Sequence, residues 1–304
     1  MPTAPRERNV HWKRIALPMK RDIPELKHQD VGGAELPYLH YPGGEKQMLF
    51  CHATGFLPWL WHPIIEEFGP EYSIWAPYIC NYRSCDPHQG GLKWNIIAED
   101  LGAFCRAQKI ENHVQVGHSM GATVSTIAAS LFGVRPRGLF LIEPIFLPEE
   151  FYSLTPSVEG HPLASKSIKR LNYWQSEKDA HAYLKSRSFF TTWDEEILHL
   201  YKRFGMEKMP EGDMRLACSP ESEAAMFMGG WCCNPWPLLE KIGCPALVLE
   251  GEKSPNVDFV DLHRAVSLLP RGEFGSVAGA GHLIPMEKPR EITLLIKEFA
   301  AKLA

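Results

Sequence analysis

One pentapeptide of the sequence has the residue types and the spacing of a nucleophilic site. Gly117-His118-Ser119-Met120-Gly121 has the pattern G-x-S-x-G, and it lies between an apolar run and a helical pattern rich in small residues. A sharp strand-to-helix turn lifts a serine Oγ clear of the sheet, and its glycines let neighbouring backbone approach closely. The backbone N–H of Met120 then points to where an oxyanion forms. We predict that Ser119 is a catalytic nucleophile and Met120 an oxyanion-hole donor; the alternative is a buried turn whose serine caps the helix.

A nucleophilic serine needs a base, and the chain has 13 histidines. His282 follows the last apolar run, in a loop whose glycines at 279 and 281 can carry an imidazole to the edge of a sheet. His118 is next to the serine, but adjacent side chains on a tight turn diverge. We therefore predict that His282 is the base.

A second oxyanion donor is expected in the segment Phe50–Phe56, which follows another apolar run. A loop of small residues after a strand can turn its backbone N–H groups inward. We predict that Thr54 donates through its backbone, together with Met120. His52 is expected to organise this loop through hydrogen bonds and not to act as the base.

These residues must be positioned by a sheet, and the sequence has the pattern of one. Short apolar runs rich in β-formers alternate with helical patterns, which favours a mostly parallel sheet with helices on both faces. Nearly continuous apolar runs agree, because parallel strands are buried on both sides. The predicted strands are Glu35–Tyr41, Gln47–Cys51, Tyr72–Ile79, His113–Gly117, Gly138–Ile142, Ala246–Glu250 and Glu273–Val277. The predicted helices are Trp94–Gln108, Met120–Phe132, Asn256–Leu269 and Arg290–Leu303.

The alternation stops between residues 147 and 243. This stretch has no clear β run; it has amphipathic patterns at Ser165–Ser186, Asp194–Phe204 and Glu221–Met228 and many aromatic residues. We predict that residues 147–243 form a helical cap inserted into one α/β core, which comprises residues 1–146 and 244–304.

Together these residues resemble the α/β-hydrolase fold family, in its serine-nucleophile, esterase-like branch with a helical cap. The resemblance spans residues 35–303 and rests on the segments HATGF at 52–56, GHSMG at 117–121, GEK at 251–253, and GH at 281–282 followed by Glu287 and Pro289. The segment at 81–86 is similar to a degenerate D-x-R-G-x-G loop. The resemblance implies that Ser119 is the nucleophile, His282 the base, and Thr54 with Met120 the oxyanion hole.

The acid of the expected triad departs from the common family pattern. Where most relatives have an aspartate after the strand that follows the cap, this chain has Ser254, which cannot stabilise an imidazolium by charge. Glu143 ends the strand after the nucleophile, a position that certain haloalkane dehalogenases of this family use for their acid. We predict Glu143 as the acid, with Asp258 as the alternative if the loop bulges; Glu252 or the absence of an acid also stays open.

The expected activity is hydrolysis of carboxylic esters through an acyl-enzyme, because a serine beside an oxyanion hole is suited to attack on a carbonyl. Two alternatives stay open. One is a C–C bond hydrolase of vinylogous diketones that uses the same triad, and the other is a non-catalytic member that binds a small ligand. We expect Phe56, Trp59 and His118 to border the substrate pocket.

Composition limits the partners. The net charge of −4 means that the chain lacks the excess of basic residues with which a protein binds nucleic acid. The eight cysteines do not have the regular spacing of a disulfide framework, which indicates reduced thiols. No apolar signal region occurs in the first 22 residues, so a cytoplasmic location is expected. The longest uncharged stretch, Asn112–Val134, fits a strand-turn-helix better than a membrane span. We expect a small-molecule substrate, no metal and no cofactor; the oligomeric state is not readable from the sequence.

Overall fold

The sheet that the sequence predicts is present in the computed structural model, which describes residues 21–303. Within these residues eight strands form one sheet in the order β1-β2-β4-β3-β5-β6-β9-β10, and two short strands form a separate hairpin. The strands are β1 Lys27–Asp30, β2 Glu35–Tyr41, β3 Lys46–Cys51, β4 Tyr72–Pro77, β5 Val114–His118, β6 Gly138–Ile142, β7 Met206–Lys208, β8 Met214–Leu216, β9 Ala246–Gly251 and β10 Gly272–Val277. Strand β2 pairs antiparallel with β1 and β4, and all other neighbours in the large sheet are parallel.

Helices connect most of the parallel strands. The α-helices are α1 His62–Ile65, α2 Trp94–Gln108, α3 Met120–Leu131, α4 Ala164–Ser167, α5 Glu177–Lys185, α6 Glu195–Phe204, α7 Pro220–Gly229, α8 Trp236–Leu239, α9 Leu262–Leu268, α10 Ile284–Glu287 and α11 Pro289–Lys302. Short 3-10 helices cover Pro58–Trp61, Pro87–Gln89, Glu149–Ser153, Ser188–Phe190, Gly230–Cys232 and Pro255–Asp258. No helix within residues 21–303 combines the length and the apolar composition that a membrane span needs.

Strand β3 illustrates why the central strands are apolar throughout. Met48 and Phe50 point to one face of the sheet, where they join the core beneath α1 and α11. Leu49 and Cys51 point to the other face and join the core beneath α2 and α3. Both faces therefore exclude water, and every residue of β5 and β6 is buried. The structure confirms the predicted α/β class.

The carboxyl ends of the parallel strands position the residues singled out above. Ser119 follows β5 directly, Glu143 follows β6 directly, and His282 lies in the loop after β10. In sheets of this kind, functional side chains gather at the carboxyl ends of the strands. The strand order puts β9 between β6 and β10, so the elements before Glu143 and His282 lie two strands apart.

Residues 147–243, called the inserted segment below, connect β6 to β9. They contain the predicted helical regions, but two expectations about them were wrong. The stretch Ser165–Ser186 is split into α4 and α5, and the segment does contain strands, because β7 and β8 pair antiparallel. Each of these strands has only three residues, too few for an alternating pattern to be visible in the sequence.

One helix and one strand differ from the prediction by more than two residues. The helix expected at Asn256–Leu269 begins only at Leu262, because Asp261 caps it by accepting a hydrogen bond from the Arg264 amide. The preceding residues form a 3-10 turn capped by the Ser254 side chain. Strand β1 was missed because it is a polar edge strand with no buried residue. The first 22 residues, in which the sequence shows no apolar signal region, lie outside the described residues except for Arg21 and Asp22.

Candidate active site

The turn between β5 and α3 holds Ser119 in a conformation that few residues adopt. Its φ of 54° and ψ of −119° lie outside the regions favoured by L-residues. Its amide donates to the Ile142 carbonyl at 2.9 Å, and its carbonyl accepts from the Ala122 amide at 3.1 Å. The backbone on both sides is thus fixed to β6 and to α3, and the hydroxyl is directed away from the sheet.

The two glycines of the pentapeptide are needed for steric reasons. A Cβ at Gly117 would lie 2.5 Å from the Cα of Ala122, and one at Gly121 would collide with the carbonyls of Cys51 and His52. Real Cβ atoms do not make such contacts, so Gly117 lets the start of α3 approach the end of β5, and Gly121 lets the turn approach the end of β3. This is the local physical reason for the G-x-S-x-G pattern.

His282 lies between Ser119 and Glu143. Its Nε2 is 3.0 Å from Ser119 Oγ, and its Nδ1 is 3.0 Å from Glu143 Oε2. The loop is held by the Gly281 amide, which donates to Glu287 Oε2 at 2.8 Å. The structure thus brings together the three residues predicted from the sequence, in a continuous hydrogen-bonded chain that starts at the serine hydroxyl.

Glu143 is buried, with a relative exposure of 1%, and its carboxylate is fully engaged. Oε1 accepts from the Gly251 amide at 2.6 Å, and Oε2 accepts from Ser254 Oγ at 2.8 Å in addition to His282. The backbone at Glu143 has a φ of 49°, which turns the side chain toward β9. A buried carboxylate with several donors is a stable acceptor for an imidazole N–H.

Asn256 is a contact of this site that the sequence analysis missed. Its Nδ2 donates to Glu143 Oε2 at 3.3 Å and lies 2.9 Å from His282 Nδ1. No motif marked it, since it follows the acid by 113 residues and reaches it only through the 3-10 turn after β9. Ser254 carried a signal, because it occupies the position at which an aspartate was expected.

Asp258 and Glu252, the alternatives to Glu143 as the acid, do not contact His282. Asp258 is exposed at the end of the 3-10 turn Pro255–Asp258 and has no hydrogen bond to His282. Glu252 is also exposed, and its Oε2 accepts from the Gly279 amide at 2.7 Å. Of the carboxylates weighed for this role, Glu143 alone contacts the imidazole.

The loop after β3 presents Thr54 to the same site. His52 organises this loop as expected: Nδ1–H donates to the Ala53 carbonyl at 2.8 Å, and Nε2 accepts from the Ile79 amide at 2.9 Å. Burial lowers the pKa of His52 to about 4, so the ring is neutral at pH 7. Within residues 21–303 the amides of Thr54 and Met120 donate to no protein acceptor, which leaves both available.

His118 does not have the position expected for it. It is fully buried beneath the site, where its Nε2–H donates to the His282 carbonyl at 2.9 Å, and it does not border the cavity above Ser119. Burial, with a smaller contribution from His282, lowers its pKa to about 3. Its side chain follows the inward direction of β5, since strand residues alternate between faces.

A cavity of about 660 Å³ lies between the sheet edge and the inserted segment. Ser119, His282, Thr54 and Phe56 line its floor. Phe56 therefore lies where the sequence analysis placed it. Trp59 does not: it stacks on Phe204 with 4.8 Å between ring centroids, and so packs the inserted segment against the core instead of lining the cavity.

Most of the other cavity walls are apolar or aromatic and come from the inserted segment. They include Leu147, Leu171, Trp174, Phe189, Phe190 and Trp231. Across residues 21–303 no group of three or more His, Cys, Asp or Glu side chains is arranged to hold a metal ion. The cavity therefore combines a polar reactive floor with walls suited to an organic ligand.

Comparison with known proteins places the chain in a family context. A protein-family model with the description "Alpha/beta hydrolase family" matches residues 48–293. The sequence is 23% identical over 252 residues to 2-(acetamidomethylene)succinate hydrolase of Mesorhizobium japonicum, a match that covers 83% of this chain and 86% of that protein.

Two solved structures extend the comparison. The crystal structure of E-2-(acetamidomethylene)succinate hydrolase is similar with a TM-score of 0.76 at 20% identity, and the match covers 91% of this chain and 99% of that one. A thermophilic esterase from Thermogutta terrifontis is similar with a TM-score of 0.63 at 22% identity, covering 92% and 99%. At these identities the structural likenesses show the fold alone.

Proposed function

The chain belongs to the alpha/beta hydrolase family, and on that basis we propose that it is a serine hydrolase that cleaves carboxylic esters through an acyl-enzyme. The observation that carries the proposal is the hydrogen-bonded chain from Ser119 Oγ to His282 Nε2 and from His282 Nδ1 to Glu143 Oε2, with both distances at 3.0 Å. This is the geometry that a nucleophile, a base and an orienting acid require.

In the first step His282 takes the Ser119 proton while Oγ attacks the carbonyl carbon of the ester. A new C–O bond forms, and the carbonyl π electrons move onto the oxygen. The resulting imidazolium is stabilised by the buried Glu143 carboxylate, which also holds Nδ1 as the protonated nitrogen. Gly251 and Ser254 keep that carboxylate in place by donating to it.

The oxyanion is stabilised by the backbone amides of Thr54 and Met120. Met120 is the first residue of α3, so its amide has no partner within the helix and adds to the positive end of the helix dipole. Removal of one donor from such a pair typically costs about 100- to 1,000-fold in kcat. Because both donors are backbone groups, side-chain replacement at Thr54 should have a small effect.

Collapse of the tetrahedral intermediate expels the alcohol, which receives the proton from His282, and leaves the acyl group on Ser119. His282 then deprotonates a water molecule, which attacks the acyl-enzyme at the same carbonyl carbon. The second collapse releases the carboxylic acid and returns the proton to Ser119. The cycle consumes one ester and one water, and it needs no redox partner.

We further propose that the inserted segment, residues 147–243, acts as a cap on the core made of residues 1–146 and 244–304, of which residues 1–20 lie outside the described part. Its aromatic side chains line the cavity above Ser119, which is buried, and limit the contact of the reacting groups with water, which strengthens electrostatic interactions in the site. This assigns chemistry to the core and selection of the substrate to the cap.

A second candidate reaction is hydrolysis of an N-acyl bond. It is favoured by the likeness to 2-(acetamidomethylene)succinate hydrolase, whose name contains an acetamido group. The same three side chains would attack the amide carbonyl, and His282 would protonate the departing nitrogen. A panel that pairs each acetate ester with the matching acetamide separates the two reactions, since only the second candidate predicts turnover of the amide.

The central test uses Ser119→Ala and a fluorophosphonate probe. We expect wild type to hydrolyse 4-nitrophenyl acetate and to be labelled at Ser119, as read from the mass of the labelled peptide, while the variant loses both properties. Ser130→Ala is the matched control, because Ser130 lies on the same helix and its hydroxyl donates to the Leu238 carbonyl, away from the site. Equal hydrolysis by Ser119→Ala and wild type would overturn the proposal, and absence of labelling in wild type would point to a non-catalytic binding protein.

A further inference from the structure

The charge of the cavity differs in sign from the charge of the whole chain. Three cationic side chains, Lys166, Arg170 and Arg187, line the cavity above Ser119, against one carboxylate that opens into it, Glu223. The chain as a whole has a net charge of −4. A concave site with an excess of one sign of charge and apolar walls concentrates ligands of the opposite sign.

Arg170 is the cation that the fold holds in a defined position. Its Nη1 donates to Glu223 Oε2 at 2.6 Å, and its Nη2 lies 3.5 Å from the Tyr201 hydroxyl. The Glu223 carboxylate packs directly against Gly55, where a Cβ would overlap it. Gly55 adjoins Thr54, so the Glu223 carboxylate links Arg170 to the loop that is proposed to hold the oxyanion.

The ion pair leaves part of the guanidinium free. A guanidinium has five N–H donors, and Glu223 occupies one of them through a single 2.6 Å bond. The Arg170 side chain retains 32% of its exposure, whereas the Glu223 side chain retains 11%. Tyr201 faces a second donor at 3.5 Å, so the N–H groups that neither Glu223 nor Tyr201 engages are available to another acceptor in the cavity.

The other two cations are exposed in the cavity wall. Among residues 21–303 neither Lys166 nor Arg187 forms an ion pair with a carboxylate. Arg187 packs over the Tyr183 ring at 4.2 Å, and this contact does not neutralise its charge. A neutral substrate leaves the charges of Lys166 and Arg187 to solvent, whereas an anionic one can pair with them.

We infer that the substrates of this site carry a carboxylate in addition to the bond that is cleaved, and that Arg170 is the residue that binds it. The inference rests on the proposed hydrolysis and adds the substrate class to it. Arginine suits this role because its planar guanidinium can bridge two carboxylates, one from Glu223 and one from the ligand. Lys166 and Arg187 attract the anion as it enters.

The test compares matched esters that differ only in one charge. One pair is mono-4-nitrophenyl adipate and methyl 4-nitrophenyl adipate, in which the free carboxylate is methylated. The other pair is 4-acetoxybenzoate and its methyl ester. We expect wild type to favour the anionic member of at least one pair in kcat/KM. Arg170→Gln should lower kcat/KM for that anionic ester by about 10- to 100-fold, the loss of a charge-assisted hydrogen bond. The neutral ester should lose less than the anionic one, so the ratio of the two kcat/KM values moves toward one.

Two further variants keep the test decisive. Lys169→Gln removes a neighbouring positive charge that does not line the cavity, and it should leave the preference unchanged. If Arg170→Gln fails to fold because Glu223 is left unpaired, Arg170→Gln with Glu223→Gln removes both charges and should also abolish the preference. Equal use of charged and neutral esters by wild type, or a preference that survives in a folded Arg170 variant, overturns the inference. Failure of the proposed hydrolysis is read separately: Ser119→Ala would cleave esters as fast as wild type, or the fluorophosphonate probe would not label wild type.

Discussion

Ser254 Oγ donates a hydrogen bond to Glu143 Oε2 at 2.8 Å, across a separation of 111 residues in the chain. The contact exists because β6 and β9 are neighbours in the sheet, so residues just beyond their carboxyl ends meet. The common family arrangement has an aspartate near the position of Ser254. Here the carboxylate that contacts His282 belongs to Glu143, after the neighbouring strand, and Ser254 donates its hydroxyl to it.

The first prediction concerns the acid. Glu143→Gln preserves the size of the side chain and removes the charge that fixes the His282 tautomer, so we expect kcat for 4-nitrophenyl acetate to fall by about 1,000- to 10,000-fold. Circular dichroism should show an unchanged fold. Asp258→Asn is the control, because Asp258 is exposed and does not contact His282; it should change kcat by less than twofold. A similar loss in both variants would contradict the role of Glu143.

A second prediction follows from the position of Ser254. Ser254 Oγ and His282 Nδ1 both contact Glu143 Oε2. The carboxylate of a Ser254→Asp variant would therefore lie close to His282 Nδ1. In the double variant Glu143→Gln with Ser254→Asp we expect at least tenfold recovery of kcat relative to Glu143→Gln alone. Ser254→Asp in the wild-type background should destabilise the protein, because it places two carboxylates side by side in a buried site. No recovery in a folded double variant would show that this alternative position cannot serve.

The pH dependence of stability provides a third prediction. Burial lowers the pKa of His52 and His113 to about 4 and that of His118 to about 3, below the unfolded value of about 6.5. Between those limits the unfolded chain binds more protons than the folded one. The stability contributed by these neutral rings is therefore complete above pH 6.5 and is lost as the pH falls toward 4. Each histidine should add a slope of roughly 1.4 kcal/mol per pH unit within that window.

Urea unfolding at intervals from pH 7 to pH 4.5 measures this slope. Replacement of His113 by Gln removes one of these titrations and should lower the slope by roughly 1.4 kcal/mol per pH unit. His28→Gln is the control, because His28 is exposed on the edge strand β1, and it should leave the slope as it is in wild type. An unchanged slope in the His113 variant would contradict the assignment of neutral buried imidazoles.

The fourth prediction concerns the nucleophile turn. Gly121→Ala adds a Cβ that collides with the Cys51 and His52 carbonyls, so the turn must move away from β3. We expect a loss of more than about 2 kcal/mol in the free energy of unfolding and at least a hundredfold loss in activity. Gly243→Ala is the control, since a Cβ there meets nothing within 4 Å. Near-wild-type activity in Gly121→Ala would contradict this account of the motif.

The sequence predicts well wherever the signal is local. Ser119 and His282 lie in short segments whose glycines and flanking apolar runs are visible along the chain, and β2, β6 and α2 match their predicted bounds. The choice between Glu143 and Asp258 could not be made in this way. It depends on which strands are neighbours and on the path of the 3-10 turn after β9, and both are set by long-range packing.

The wrong expectations have the same origin. Trp59 and His118 were assigned to the pocket because each is close in sequence to a reactive residue. Sequence distance does not fix direction: His118 points inward from β5, and Trp59 turns to stack on Phe204. No pattern in the sequence marks Arg170 and Glu223, because 53 residues separate them and neither lies in a motif.

The inserted segment is also the crossover that joins two parallel neighbours, β6 and β9. A crossover of this kind needs only about a dozen residues, whereas the segment spans residues 147–243. Most of its length is therefore surplus to the topology of the sheet. Insertions and deletions there can change the volume of the cavity above Ser119 without changing the strand order. Related proteins can therefore differ in the size of the substrates they accept while the reaction stays the same.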